Sequence, residues 1–242
     1  MALEGGDRTA VDGVEDWDGG RARTIHYIDW DIPENNTFRV INQFRVDEPG
    51  GQAHKYITPD IVLFVNGIPL VVIECKSPYV SSPMESAVDQ LHRYSNQRPW
   101  VDGNEGNERL FHTNQLVIGT HYDKARFGSI SSSAVHFLEW KDTSPVPMSE
   151  VAAALGKEDL SSQEKLVAGM LRPAHLLDIV RHFTLFSTVG AKTIKLVPHY
   201  QQFRAVQAAT ERLLTGKTRI EDGEYDRLEG GSSGTLRDPG RA

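Results

Sequence analysis

Tyr56-Ile-Thr-Pro-Asp-Ile-Val-Leu-Phe-Val-Asn-Gly-Ile-Pro-Leu-Val-Val-Ile-Glu-Cys-Lys-Ser-Pro78 is the stretch on which the fold of this chain turns. Two short runs rich in β-branched residues flank Asn66-Gly67, a dipeptide suited to the left-handed positions of a tight hairpin turn. Successive rather than alternate residues are apolar in both runs, so both faces of these strands are predicted to be covered, with helices packed on the sheet.

Working outward, Thr24–Ile28 and Phe38–Val46 read as strands, with Pro33-Glu-Asn-Asn36 as a turn between them. Downstream, Ser82-Pro83-Met84-Glu85 combines an N-cap serine, a proline at the first helical position and a capping-box glutamate. Met84, Ala87, Val88, Leu91 and Tyr94 then recur at helical spacing, and Pro99 closes the segment. Gln115–Thr120 and Ala134–Trp140 read as two more strands. After Pro145 and Pro147 the pattern turns helical: Ser161-Ser-Gln-Glu164 is a second capping box, and Leu176, Leu177, Val180, Phe183 and Leu185 form one apolar helix face. A last helix runs from about Tyr200 to Leu214 and is closed by Gly216. The predicted class is α/β, a mixed β-sheet flanked by helices with a C-terminal helical extension.

Composition narrows the function classes. The chain has 242 residues, a formal net charge of -7 and one cysteine, Cys75. Acidity argues against unaided tight DNA binding, which draws most of its affinity from neutralised phosphates. One cysteine excludes an internal disulfide framework and suits a reducing, cytoplasmic compartment. No apolar run is long enough to span a bilayer as a helix. Residues 1–22, rich in Gly and Asp, read as a mobile leader, and the polar, glycine-rich residues 217–242 as a disordered tail.

Three charged residues interrupt the apolar hairpin: Asp60 opens its first strand, and Glu74 and Lys76 close its second. A two-residue Asn66-Gly67 loop pairs Val65 with Ile68 and puts Asp60 and Glu74 on opposite faces. A three-residue loop, Val65-Asn66-Gly67, pairs Phe64 with Ile68, sets Asp60 opposite Val72 and makes Glu74 its diagonal neighbour on one face. Two converging carboxylates repel and lose hydration, and a divalent cation relieves both costs. Oxygen ligands favour Mg2+ or Mn2+, with the backbone carbonyl of Cys75 as a candidate third ligand. A lysine beside such an ion can hold or deprotonate an attacking water. The bland alternative is a solvated strand end or a cross-strand ion pair worth a few tenths of a kcal/mol. Gln90 and Tyr94, four apart, share one face of the following helix. They read either as a core aromatic with a wet neighbour or as a pair reaching the charged hairpin.

Pro59-Asp60, Glu74-Cys75-Lys76 and Gln90-Leu-His-Arg-Tyr94 together resemble the PD-(D/E)xK nuclease signature with the Q-x-x-x-Y extension of its RecB-like branch. Asn42-Gln-Phe44, the Pro59–Pro78 block and Asn114-Gln-Leu-Val-Ile-Gly119 look, more narrowly, like the restriction (R, or HsdR) subunit of type I restriction enzymes, over roughly residues 24–215. The resemblance implies a restriction-endonuclease-like core. In it Asp60 and Glu74 would bind metal, Lys76 would be the catalytic lysine, and Gln90 and Tyr94 an auxiliary pair needed for cleavage. Many relatives add an upstream acidic ligand; Glu15, Asp16, Asp29 and Asp31 lie upstream without a helical pattern, so none is assigned.

On this reading residues 23–147 form the endonuclease domain, 148–190 a helical linker, and 191–216 the start of a truncated helicase-like motor. Gln202 would contact adenine were the motor complete. Thr215-Gly-Lys-Thr218 lacks the upstream glycine of a phosphate-binding loop, and Gly230–Thr235 lacks its lysine, so ATP is expected to serve only the full-length subunit. Double-stranded DNA and the methyltransferase (M) and specificity (S) subunits are the implied partners. The competing expectation is a catalytically silent nuclease-fold module that holds a complex together through residues 148–190. A stand-alone RecB-like exonuclease or junction resolvase is a third, which would not need the motor-like helix.

Overall fold

The computed structural model describes residues 25–47, 56–190 and 192–216. The expected leader and tail, Glu15, Asp16 and Thr218 lie outside the described residues. The chain divides into two compact units, one ending at Pro198 and the other beginning at His199.

The first unit is built on a five-stranded sheet of order β1-β4-β5-β6-β7, formed by β1 (Phe38–Asn42), β4 (Ile61–Val65), β5 (Ile68–Lys76), β6 (Leu116–His121) and β7 (Lys124–Gly128). Short β2 (Val46–Asp47) and β3 (Tyr56–Ile57) pair separately. Only β5 and β6 run parallel; the other neighbours in the large sheet are antiparallel. The mixed α/β class read from sequence therefore holds. Strand β7 escaped that reading because Lys124 and Arg126 break its apolar run. Two stretches read as strands are not: Ile25–Ile28 is irregular, and Ala134–His136 is a short helical turn before a single bridge from Leu138 to Phe127. Both owe their apolar character to local packing, since Ile28 and Phe137 are buried.

The β4–β5 turn settles the register question in an unforeseen way. Asn66 (φ 50°) and Gly67 (φ 85°) both take left-handed backbone, so the loop has two residues and pairs Val65 with Ile68. That loop alone would split Asp60 from Glu74. The register, however, slips by one between Phe64–Pro69 and Leu63–Val71, leaving Leu70 as an extra residue. Pro69 has no N–H for the ladder, which makes this the natural place for a bulge. Beyond it Ile61 faces Ile73, so Asp60 falls opposite Glu74 instead of opposite Val72. A bulge, rather than a longer turn, brings both acids to one face.

Helix α1 (Pro83–Tyr94) crosses from β5 to β6 and buries Met84, Ala87, Val88, Leu91 and Tyr94, the stripe predicted for it. Its capping box does not form. Ser82 sits at φ 50°, outside the extended region an N-cap needs, and its hydroxyl caps nothing. Val88, Leu91 and Tyr94 meet Val62, Phe64, Val72 and Val117 in the main core. Gly119 allows the helix to lie close to β6: a Cβ there would stand 3.1 Å from Met84 Sδ and 3.2 Å from Ala87 Cβ.

The region after Pro147 carries α2 (Met148–Ala154), α3 (Ser162–Lys165) and α4 (Pro173–Asp178), with wide helical turns at Leu166–Met170 and Ile179–Phe183. Here the second capping box does form, between Ser161 and Glu164. Leu185 does not extend a helix face; it opens β8 (Leu185–Val189), which pairs with β9 (Lys192–Leu196). The boundary drawn from sequence at 190/191 passes between these two strands, because a short apolar run is ambiguous between helix and strand. In the second unit, α5 (Tyr200–Thr215) ends at Gly216 in left-handed backbone.

Candidate functional site

All five side chains singled out in the sequence gather at the end of the sheet where β4 begins and β5 stops. Asp60 is held from two directions: Gln43 Nε2 donates to its Oδ1 and the Cys75 N–H to its Oδ2, each at 2.7 Å. Glu74 is 2% exposed. Its Oε1 accepts from Lys76 Nζ at 2.7 Å, while its Oε2 is buried without a hydrogen-bond partner. Burial, first, and then the Asp60 carboxylate push Glu74 up to about 7, against the opposing pull of Lys76. An acid in that state is short of positive charge.

Lys76 is fixed from the helix as well. Its Nζ donates to Gln90 Oε1 at 2.5 Å, and Gln90 Nε2 donates to the Tyr94 hydroxyl at 2.5 Å. The Tyr94 hydroxyl in turn donates to the Thr58 carbonyl at 3.1 Å, and burial raises its pKa. The Lys76 ammonium can only donate and the Thr58 carbonyl can only accept, so the Gln90 amide between them has one orientation and Lys76 is tethered to both Glu74 and Gln90. The helix face that could have been merely core thus serves both purposes. The Tyr94 ring packs among apolar side chains while its hydroxyl joins the polar chain.

Cys75 contributes backbone rather than sulfur. Burial, followed by the neighbouring Asp60 and Glu74 charges, pushes its thiol up to about 11, which leaves no thiolate nucleophile near neutral pH. Among the described residues no three His, Cys, Asp or Glu side chains are grouped so that they could hold a metal ion by themselves. An ion here would rest on the two carboxylates, backbone and water. Of the upstream acids within the described residues, Asp29 accepts from Asn35 and from the Asp31 and Ile32 N–H groups, and Asp31 pairs with Arg181, so neither is turned to the site. Gln202, expected to contact adenine were the motor complete, accepts from the His199 N–H at the start of α5.

Three participants were not given roles from the sequence: Gln43, the Thr58 carbonyl and Gly119. Asn42-Gln-Phe44 stood out as a block, but pattern alone has no means of pointing a side chain beyond β1 at an acid seventeen residues on. Gly119 pairs with Glu74 across β5–β6, so the missing side chain that admits α1 lies directly beside the buried acid.

A five-stranded mixed sheet with helices against it, two acids converging at one strand end and a lysine two residues beyond, is a restriction-endonuclease-like core. The particular family follows from comparison with known proteins. Residues 7–134, more than half of the chain, match the model of the type I restriction enzyme R protein N terminus, and the chain belongs to that family. It is 33% identical over 191 residues to the type I restriction enzyme HindI endonuclease subunit of Haemophilus influenzae, covering 77% of this chain and 16% of that protein. It is 26% identical over 198 residues to the type I restriction enzyme EcoprrI endonuclease subunit of Escherichia coli, covering 82% of this chain and 55% of the relative. The chain thus spans only part of the length of these relatives. No helix among the described residues is long and apolar enough to cross a membrane.

Proposed function

We propose that this chain is the DNA-cutting part of a type I restriction system, hydrolysing phosphodiester bonds of double-stranded DNA with Mg2+ or Mn2+. The observation that carries the reading is the buried, unpartnered Oε2 of Glu74 beside the Asp60 carboxylate. A buried carboxylate is costly, and the negative charge of the half-buried Asp60 beside it adds to that cost; a divalent cation turns the cost into binding. Asp60 and Glu74 would hold the ion. The Cys75 N–H faces Asp60, and in an extended strand the carbonyl leaves on the same side as the N–H, which supports that carbonyl as a further oxygen ligand. Two carboxylates with backbone and water suit Mg2+, which keeps several waters. The ion supplies electrophilic stabilisation of charge on the scissile phosphate.

The chain's own groups do the rest. Lys76 holds the attacking water with the donor left over from Glu74 and Gln90, and takes part in moving its proton. That water bonds to phosphorus as the phosphorus–oxygen bond to the leaving strand breaks and the leaving oxygen gains a proton. Gln90 and Tyr94 keep Lys76 in place, so that no reorganisation is needed as the reaction proceeds. The acidic balance of the chain fits a nuclease delivered to DNA by other components, namely an ATP-driven motor with methyltransferase and specificity subunits in the cytoplasm.

The test is a titration of the chain with Mn2+ by calorimetry, together with cleavage by the assembled complex. Uptake that Glu74→Gln abolishes, and cutting that Asp60→Ala eliminates while ATP-driven translocation continues, are the expected outcomes. No uptake by the unaltered chain would leave a silent scaffold, and loss of translocation in the Asp60 variant would place that residue in the motor's work.

A further inference from the structure

The Asn42-Gln43-Phe44 block is a conspicuous stretch to which the nuclease reading assigns no role. Strand β1 stops at Asn42, and Gln43 takes φ 50°, a left-handed backbone that few side chains adopt. In that position it grips Asp60 twice. Its backbone N–H donates to the Asp60 carbonyl at 2.8 Å, and its Nε2 donates to Asp60 Oδ1 at 2.7 Å. The next residue continues the grip, with the Phe44 N–H donating to the Pro59 carbonyl at 3.2 Å. With Cys75 N–H on Oδ2, each Asp60 oxygen has one donor and the plane of the carboxylate is set.

Resting on the metal-site reading above, we propose that Gln43 is a positioning residue. It fixes the rotation of the Asp60 carboxylate so that the remaining lone pairs meet the divalent ion shared with Glu74.

Three features point to this role rather than to stability. Gln43 is exposed, so it adds little to the core. At a left-handed position, a residue chosen for stability alone would be glycine or asparagine. The chemistry of the side chain also fits a metal ligand's partner. A neutral amide orients the carboxylate without competing for it, whereas lysine or arginine there would repel the cation, and glutamate would repel Asp60. Hydrogen-bonded partners of this kind typically change metal affinity about 10–100-fold when removed.

The experiment is Mn2+ binding by calorimetry to the 242-residue chain and to two variants, with thermal unfolding of each metal-free protein. Gln43→Asn keeps the amide and tolerates the left-handed backbone but is one methylene too short to reach Oδ1. Gln43→Gly removes the side chain and relieves the backbone. Both are expected to raise the Mn2+ dissociation constant about tenfold or more, while unfolding stays put or, for Gln43→Gly, moves upward. Unchanged affinity in both variants overturns the positioning role and leaves the metal site standing. Weaker binding accompanied in both by a matching drop in unfolding temperature overturns it in favour of a structural role. Absence of Mn2+ uptake by the parent chain overturns the metal site, and this inference with it.

Discussion

Lys76 and Glu74, two residues apart on β5, are joined by a 2.7 Å hydrogen bond that leaves the other Glu74 oxygen buried and unpartnered. A lysine alone therefore does not complete this site, and its behaviour should depend on pH and on added cations in ways that can be measured.

The metal-free chain should lose stability as pH rises. Glu74 titrates near 4.5 when unfolded and at about 7 when folded. Below pH 4.5 both states hold the proton. Between 4.5 and 7 only the folded state holds it, so stability falls across that window and levels off above 7. Relative to Glu74→Gln, which has no such proton, the parent should lose up to about 3 kcal/mol between pH 4.5 and 8. Denaturant melts of both proteins at the two ends of the range check this. A parent that gains on the variant with rising pH would show Glu74 to be stabilised as the anion.

Lys76→Ala should reduce cleavage by the assembled complex about 10²–10⁴-fold, the range associated with losing a proton-handling group. Mn2+ affinity of the same variant should hold or improve, because a competing positive charge next to Glu74 has gone. Quench-flow cleavage and calorimetry separate the two effects, and a variant that binds Mn2+ normally and cuts at the parent rate would remove Lys76 from the chemistry.

Tyr94→Phe deletes the hydroxyl that links Gln90 to the Thr58 carbonyl. The ring and its packing remain, so stability should fall by only about 1 kcal/mol. Freed from that link, Gln90 loosens Lys76, and cleavage should drop about 10–100-fold with Mn2+ affinity little changed. Equal losses in binding and in cutting would mean that the hydroxyl acts on the ion rather than on the lysine.

Gly119→Ala tests the seating of α1. The added Cβ would press on Met84 and Ala87 at 3.1 and 3.2 Å, forcing the helix outward by a few tenths of an ångström. A cost of about 1–3 kcal/mol is expected from overpacking, along with weaker cleavage as Gln90 withdraws from Lys76. A variant with parent stability and parent activity would show that the helix position has slack.

Much of this was visible in the residues themselves. The Asn66-Gly67 turn, the apolar stripe of α1 and the closing Gly216 are local features, and local spacing and conformational preference are enough to read them. The set Asp60, Glu74, Lys76, Gln90 and Tyr94 was legible from residue types at strand and helix spacings and from the family resemblance, although the Asn66-Gly67 turn by itself put Asp60 and Glu74 on opposite faces. Other features were illegible for equally physical reasons. Strand β7 alternates exposed Lys124 and Arg126 with buried residues, which breaks its apolar run, and the Ser82 capping box was overruled by a left-handed backbone that no residue pattern announces.

By itself the sequence determined which groups are available: two acids, a lysine, an amide and a phenol, on elements whose ends could meet. Only the tertiary structure decided how they meet. Pro69 displaces one residue into a bulge, and that single slip turns Asp60 toward Glu74. The Gly119 gap lets α1 approach until Gln90 reaches Lys76, and the end of β1 carries Gln43 onto Asp60. Each of these depends on contacts between segments far apart in the chain, where the side chain that matters is chosen by register and distance rather than by neighbours in sequence.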